Sequence, residues 1–210
     1  NIDFDGNTQT ASRAVNIRGL IEKCSALNCT GIALAITSGS IVNCLAHDNS
    51  GTSAISGSGS IYGCVAHTNA GRGFNFSTNT SISRCISYLN TGANGYGFDA
   101  SNGEGSIYNN CVAYDNAQSG FRNADEGATY INCVAESNTG FGFESTAANL
   151  AQYFNCAVFD NTAGDFSIGT DPFSINIDSI TGTATFFANA AAGDFALNGG
   201  EGADLKGIGL

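Results

Sequence analysis

The chain has 210 residues, 42% of them hydrophobic and only 12% charged, with 28 glycines, one proline and no methionine. Set against a usual charged fraction of about 25%, this composition is too apolar for disorder, and Asn, Ser, Thr and Gly supply the polarity instead. The net charge of −11 leaves no basic footprint for nucleic acid or an anionic membrane surface, and no apolar run approaches the roughly 18 residues that span a bilayer.

In chain order the sequence divides into an irregular leading coil (1–19), a regular repeat (20–169), and terminal coils with a closing segment (170–210), all read as one domain. The start at Asn1, without methionine or signal peptide, reads as a processed product or a piece of something longer. Seven segments of the repeat align on a cysteine: Cys24, Cys44, Cys64, Cys85, Cys111, Cys133 and Cys156, with spacings of 20, 20, 21, 26, 22 and 23. A period that drifts by a few residues fits a solenoid whose turns accept insertions. No apolar stripe of helical period accompanies it.

Four columns run in register with the cysteines. Three residues before stand large side chains: Ile21, Ile41, Ile61, Ile82, Tyr108, Tyr130 and Tyr153. Two after stand small ones, Ala26, Ala46, Ala66, Ser87, Ala113 and Ala135, then Val158. Five after comes Asn49, Asn69, Asn90, Asn116, Asn138 and Asn161, with Cys29 in the first coil. Ten after comes Leu34, Ala54, Phe74, Phe121, Phe143 and Phe166, joined by Phe98 if its loop carries three extra residues.

Coils stacked about 4.8 Å apart would place like on like, giving a phenyl stack and a ladder of asparagine amides at a turn. Asn also tolerates the left-handed backbone of a sharp turn, and Gly31, Gly51, Gly71, Gly92 and Gly140 two residues on suit the same bend. The expected fold is all-β: a single-stranded right-handed parallel β-helix of roughly eight to ten coils.

The pattern I-x-x-C-x-A-x-x-x-N followed by G-F resembles the parallel β-helix repeats of the pectate-lyase-like superfamily, which includes phage tailspikes and bacterial surface proteins. The resemblance covers about 21–168, and the stretch 186–209 resembles the closing segment that often follows such repeats. It implies polysaccharide lyases, hydrolases or epimerases as relatives, but a shared fold does not transfer a function.

Neighbouring column members lie too far apart, with side chains pointing the same way, for disulfides, so the seven cysteines are expected as a stack of buried thiols acting as small hydrophobes. No C-x-x-C or other metal motif occurs.

A search for catalytic groups ends without an assignment. Asp48, Asp115 and Asp160 share the position four after the cysteine but are separated by coils carrying Thr68, Leu89 or Ser137, and read as solvated turn residues. His47 and His67 share one column on adjacent coils, within reach for a shared metal or pH-sensitive pair, but read as repeat residues. That column continues through Tyr88, Tyr114, Glu136 and Phe159. Asp125 and Glu126 lie in a loop near Arg122, suggesting a local salt bridge. Lys23 and Arg84 share an outward column with Asn43, Asn110, Asn132 and Asn155.

The position after each cysteine, Leu45, Val65, Ile86, Val112 and Val134, faces outward by strict alternation. Either a bulge rescues this aliphatic row or it is a docking stripe for a partner. With a first coil that has no evident cap, this favours a non-catalytic structural β-helix of a larger assembly, a virion decoration or spike protein or an extracellular filament. Such a protein would dock onto itself or another structural protein and need neither cofactor nor metal. The alternative is a polysaccharide-active enzyme or a carbohydrate-binding adhesin that binds a surface glycan, with Tyr88 and Tyr114 as a sugar platform.

Overall fold

The computed structural model describes residues 2–5, 13–77, 79–102, 105–124, 127–145, 151–168, 175–177, 180–181 and 187–197. The chain is an all-β parallel solenoid in which each turn passes through three faces. The first face carries short strands directly after each cysteine: Leu45–His47, Val65–His67, Ile86–Tyr88, Val112–Tyr114, Val134–Glu136 and Ala157–Phe159, with Cys24–Leu27 and Ile2–Asp5 stacked before them. The second face holds Ser53–Gly57, Arg72–Ser77, Phe98–Asn102, Phe121–Asn123, Phe141–Ser145 and Gly164–Ile168. The third holds Ser60–Tyr62, Ser81–Ser83, Ile107–Asn109, Thr129–Ile131, Gln152–Phe154 and Ile175–Ile177. In the early coils Arg13–Glu22 and Ile32–Val42 pair side by side and run through both of these faces. Among the described residues the first face stacks nine strands, the last of them Ile180–Thr181.

The register is parallel and repeats coil by coil: His47 pairs with His67, Tyr88 with Tyr114, and Phe98 with both Phe74 and Phe121. Alternation within each three-residue strand turns the middle residue inward, so Ala46, Ala66, Ser87, Ala113 and Ala135 are fully buried. Small residues suit Ser87 and Ala113 because Gly73, Gly97 and Gly120 press against them from the second face. A Cβ on Gly97 would sit 3.1 Å from Ala113 Cβ and 3.0 Å from Asn116 Nδ2.

The aromatic columns pack as a herringbone. Phe74, Phe98, Phe121 and Phe143 stack at 4.7–4.8 Å with rings within 7° of parallel. Tyr108, Tyr130 and Tyr153 form a second stack that meets the first edge-on, as in Tyr108 against Phe121 at 6.0 Å and Tyr130 against Phe143 at 5.3 Å. Each such pair adds about 0.5–1.5 kcal/mol beyond its buried area. Phe98 joins the column as expected. Ala54 does not: Ile55 pairs with both Leu34 and Phe74, so the phenyl position in that coil falls one residue later.

Left-handed backbone marks two corners of every coil. One is the residue before the cysteine (Lys23, Asn43, Gly63, Arg84, Asn110, Asn132, Asn155), and the other lies four after it (Asn28, Asp48, Thr68, Leu89, Asp115, Ser137, Asp160). The ladder asparagines are not left-handed, contrary to the expectation from their sequence. The turn is made by the residue before them, which leaves each ladder side chain aimed inward. Asn69 Nδ2 donates to Asn90 Oδ1 at 2.9 Å and to the Ala46 carbonyl at 3.1 Å, while its Oδ1 accepts from Asn49 Nδ2 and from the Asn49 backbone N–H. Asn49, Asn69, Asn90, Asn116, Asn138 and Asn161 repeat this scheme, and Cys29 donates its N–H to Asn49 at the start. Gly71 serves close approach rather than the bend, since a Cβ there would lie 2.6 Å from the Thr52 carbonyl.

None of the eight cysteines is in a disulfide. In the column the backbone N–H of Cys44 points at Cys64 Sγ, and that sulfur faces the Tyr62 and Ile41 carbonyls. Burial pushes the Cys85 and Cys133 thiols well above the ordinary range, so they behave as inert filling.

Candidate functional site

The cysteine spacing of 26 belongs to the coil that begins at Cys85. Part of its extra length lies between Asn90 and Phe98, where a turn closed by the Gly95 N–H on the Gly92 carbonyl lifts Tyr96 over the second face. Beneath it runs an outward column set by register: Asn75, Asp99, Arg122, Glu144 and Ser167.

Asp99 is fully buried although its position faces outward. Arg72 Nε donates to Asp99 Oδ2, and Arg122 Nη1 reaches the same oxygen at 3.5 Å. Tyr96 lies over the Arg122 guanidinium with 4.8 Å from Cζ to the ring centroid, fixing its plane. Glu144 accepts from Ser119 Oγ at 2.6 Å, and Ser119 also accepts the Phe141 backbone N–H. Burial raises the Tyr96 phenol above its usual range, with Arg122 opposing the shift. Asp99 Oδ1 and Arg122 Nε find no protein partner.

Four formal charges cancel here, yet Arg72 and Arg122 keep 19% and 23% of their side-chain surface exposed. Their outer N–H groups can fork onto a carboxylate. No sequence column marks this cluster: Asp125 and Glu126, the expected neighbours of Arg122, lie outside the described residues, and the partner found is Asp99, 23 positions earlier in the chain. The signal available was the break in period, because insertions in solenoids gather on the face that does work.

The first face is different. His47, His67 and Tyr88 stack at 5.1 and 4.8 Å, nearly parallel. His67 thus covers one face of the Tyr88 ring. Phe195 meets Tyr88 and Tyr114 edge-on, at 5.2 and 6.0 Å. It comes from an antiparallel hairpin, Phe187–Asn189 with Asp194–Leu197, that folds back on this face. Val134, Ala157, Phe187 and Ala190 form a small second core there, with Val112, Tyr114, Phe159 and Phe195 against it.

The outward aliphatic row is therefore covered at its Val112 and Val134 end by the chain itself. Leu45, Val65 and Ile86 instead line a groove of about 440 Å³ together with His67, Tyr88, Gly193 and Phe195. The closing segment beyond Leu197 and the start of the leading coil, with residues 6–12, lie outside the described residues, so an uncapped first coil is not described.

Asp48, Asp115 and Asp160 sit at left-handed corners, and His47 Nδ1 contacts Asp48 Oδ2 at 2.7 Å. Among the described residues no group of three His, Cys, Asp or Glu is placed to hold a metal, and no helix is long and apolar enough to cross a membrane. On the third face Arg84 lies over Tyr62 at 5.7 Å, without an acid in the pair.

No protein-family model matches the chain, and no curated protein matches it. Solved structures do. A rhamnogalacturonan lyase aligns with a TM-score of 0.80 at 17% identity, over 99% of this chain and 71% of its own. The pectate lyase Pel9A aligns at 0.65 and 18%, over 86% of this chain. The A-module of a mannuronan C-5 epimerase from Azotobacter vinelandii aligns at 0.56 and 18%, over 78%. The chain spans 58% of the pectate lyase and 60% of the epimerase module. At these identities the likeness concerns architecture alone, and by architecture the chain is a parallel β-helix of the kind found in polysaccharide lyases and epimerases.

Proposed function

We propose that this β-helix acts on an acidic polysaccharide outside the cell, with the cluster of Arg72, Tyr96, Asp99, Arg122 and Glu144 as its site. One observation carries the reading: two part-exposed guanidiniums held in fixed planes by a buried carboxylate and an aromatic ring, with a second carboxylate on the adjoining coil. The three structural neighbours are named for elimination or epimerisation on pectate, rhamnogalacturonan and mannuronan, which is the same class of substrate.

The chemistry follows from the groups. A sugar acid laid across the second face puts its carboxylate on the outer N–H groups of Arg72 and Arg122, which stabilises charge that builds there when the neighbouring C–H loses its proton. Glu144, steadied by Ser119, takes that proton. The electron pair passes into the carboxylate as an enediolate, and then either expels the adjacent glycosidic oxygen, protonated by Tyr96, or recaptures a proton on the opposite face. Burial keeps the Tyr96 phenol protonated and suited to the acid role.

Incubation with polygalacturonate, rhamnogalacturonan and mannuronan tests the proposal. Unsaturated chain ends or solvent deuterium at C5 are the expected products, abolished by Glu144→Gln and Arg122→Ala in folded protein. Absence of product, exchange and binding on all three would overturn it.

A second reading, a building block that docks on copies of itself or a scaffold in a virion or filament, draws on the uncovered Leu45, Val65 and Ile86. Sedimentation as a monomer across a broad concentration range would remove that support.

A further inference from the structure

The inward column of the second face changes character behind the cluster. Ala100, Asn123 and Ser145 stand in register on its three coils. These three are the residues immediately after Asp99, Arg122 and Glu144, so they occupy the opposite side of the same strands. All three are fully or almost fully buried. The large column of the third face changes at the same level, from Ile82 to Tyr108, which bears a hydroxyl. The Tyr108 ring packs edge-on against Phe98 and Phe121, each two residues before Ala100 and Asn123 on the same inward side.

Both ends of the Asn123 amide, the Ser145 hydroxyl and the Tyr108 hydroxyl find no protein partner. An amide with two donors and an acceptor is not kept inside an apolar core unsatisfied, and its in-register neighbour Ala100 fills little of the space beside it.

We infer that ordered water is bound inside the solenoid at Asn123 and Ser145, forming a hydrated seam behind the outward charged cluster. Register brings the Asn123 amide and the Ser145 hydroxyl together on adjoining coils, and a buried water takes two to four such partners. The seam lets the strand bearing Arg122 satisfy its interior without a rigid apolar plug. The inference does not depend on the reaction proposed above, because it concerns the protein without substrate.

Water relaxation dispersion on the substrate-free protein counts long-lived internal waters. The expected result is a slowly exchanging population in the wild type that is reduced in Asn123→Leu and in Ser145→Ala. If Asn123→Leu does not fold, Ser145→Ala decides alone. A wild type without long-lived water, or a count unchanged in the folded variants, would overturn the inference.

Discussion

Two polar columns, one buried and one facing outward, run along the same solenoid and are built in opposite ways. The ladder from Asn49 to Asn161 is neutral, uses one residue type in every coil, and gives each interior amide partners above and below. The column through Asn75, Asp99, Arg122 and Glu144 is charged, changes residue at every coil, and leaves atoms of Asp99 and Arg122 without a protein partner. A repeated neutral column is what stacking alone can satisfy. A charged column would repel itself if it repeated, so it must alternate in sign, and it persists only where particular neighbours balance it. The first kind of order belongs to the fold and the second to a site.

The largest expected effect separates the two directly. Arg72→Ala removes the nearest counter-charge of a fully buried Asp99, and breaking one partner of a buried pair costs about 3–5 kcal/mol, toward the lower end here because Arg72 is partly exposed. The double variant Arg72→Met with Asp99→Leu should recover most of that loss in denaturant unfolding. A single variant that loses less than about 1 kcal/mol would place the pair with ordinary surface ion pairs and break the contrast.

Asn90→Ala comes next. It removes the acceptor for both the Asn69 amide and backbone N–H, and an unsatisfied buried group costs about 1–3 kcal/mol. Asn161→Ala should cost less, because Asn161 keeps 8% exposure while the interior members are nearly closed. Equal midpoints for the two variants would mean that the ladder is not sensitive to position.

The smallest effect concerns pH on the first face. Burial, helped by His47, lowers the His67 pKa below its usual 6.5. The unfolded chain therefore binds a proton first as pH falls. Stability is complete above about 6.5 and declines as pH drops through that value toward the folded pKa. His67→Gln should flatten this part of the profile in thermal unfolding.

The fold was legible because stacking copies sequence into space: the cysteine, alanine and asparagine columns are visible as letters and reappear as register. What was not legible came from interactions that do not repeat. The left-handed corner is occupied by residues as unlike as Asp48, Thr68 and Leu89, so composition hid it and drew attention to the asparagine beside it. The partnership of Arg72, Asp99 and Arg122 spans three coils through an inserted turn, and no spacing rule predicts it. The hairpin at Phe187 to Leu197 covers the Val112 and Val134 end of the aliphatic row, and nothing in the row announces its cover.

The spacing of 20 residues between Cys44 and Cys64 makes that coil an interchangeable length of chain. Excising 45–64 would join Cys44 to Val65 and let Val65–His67 take the seat of Leu45–His47 on Cys24–Leu27, with every column closed over the gap. The molecule would shorten by one rung, about 4.8 Å, and otherwise keep its shape. Cutting out 86–111 would also remove one rung, but would take Tyr96 and Asp99 with it. The early coils thus act as a ruler that duplication or loss can lengthen or shorten by fixed steps, while the later coils cannot be edited without erasing what they carry.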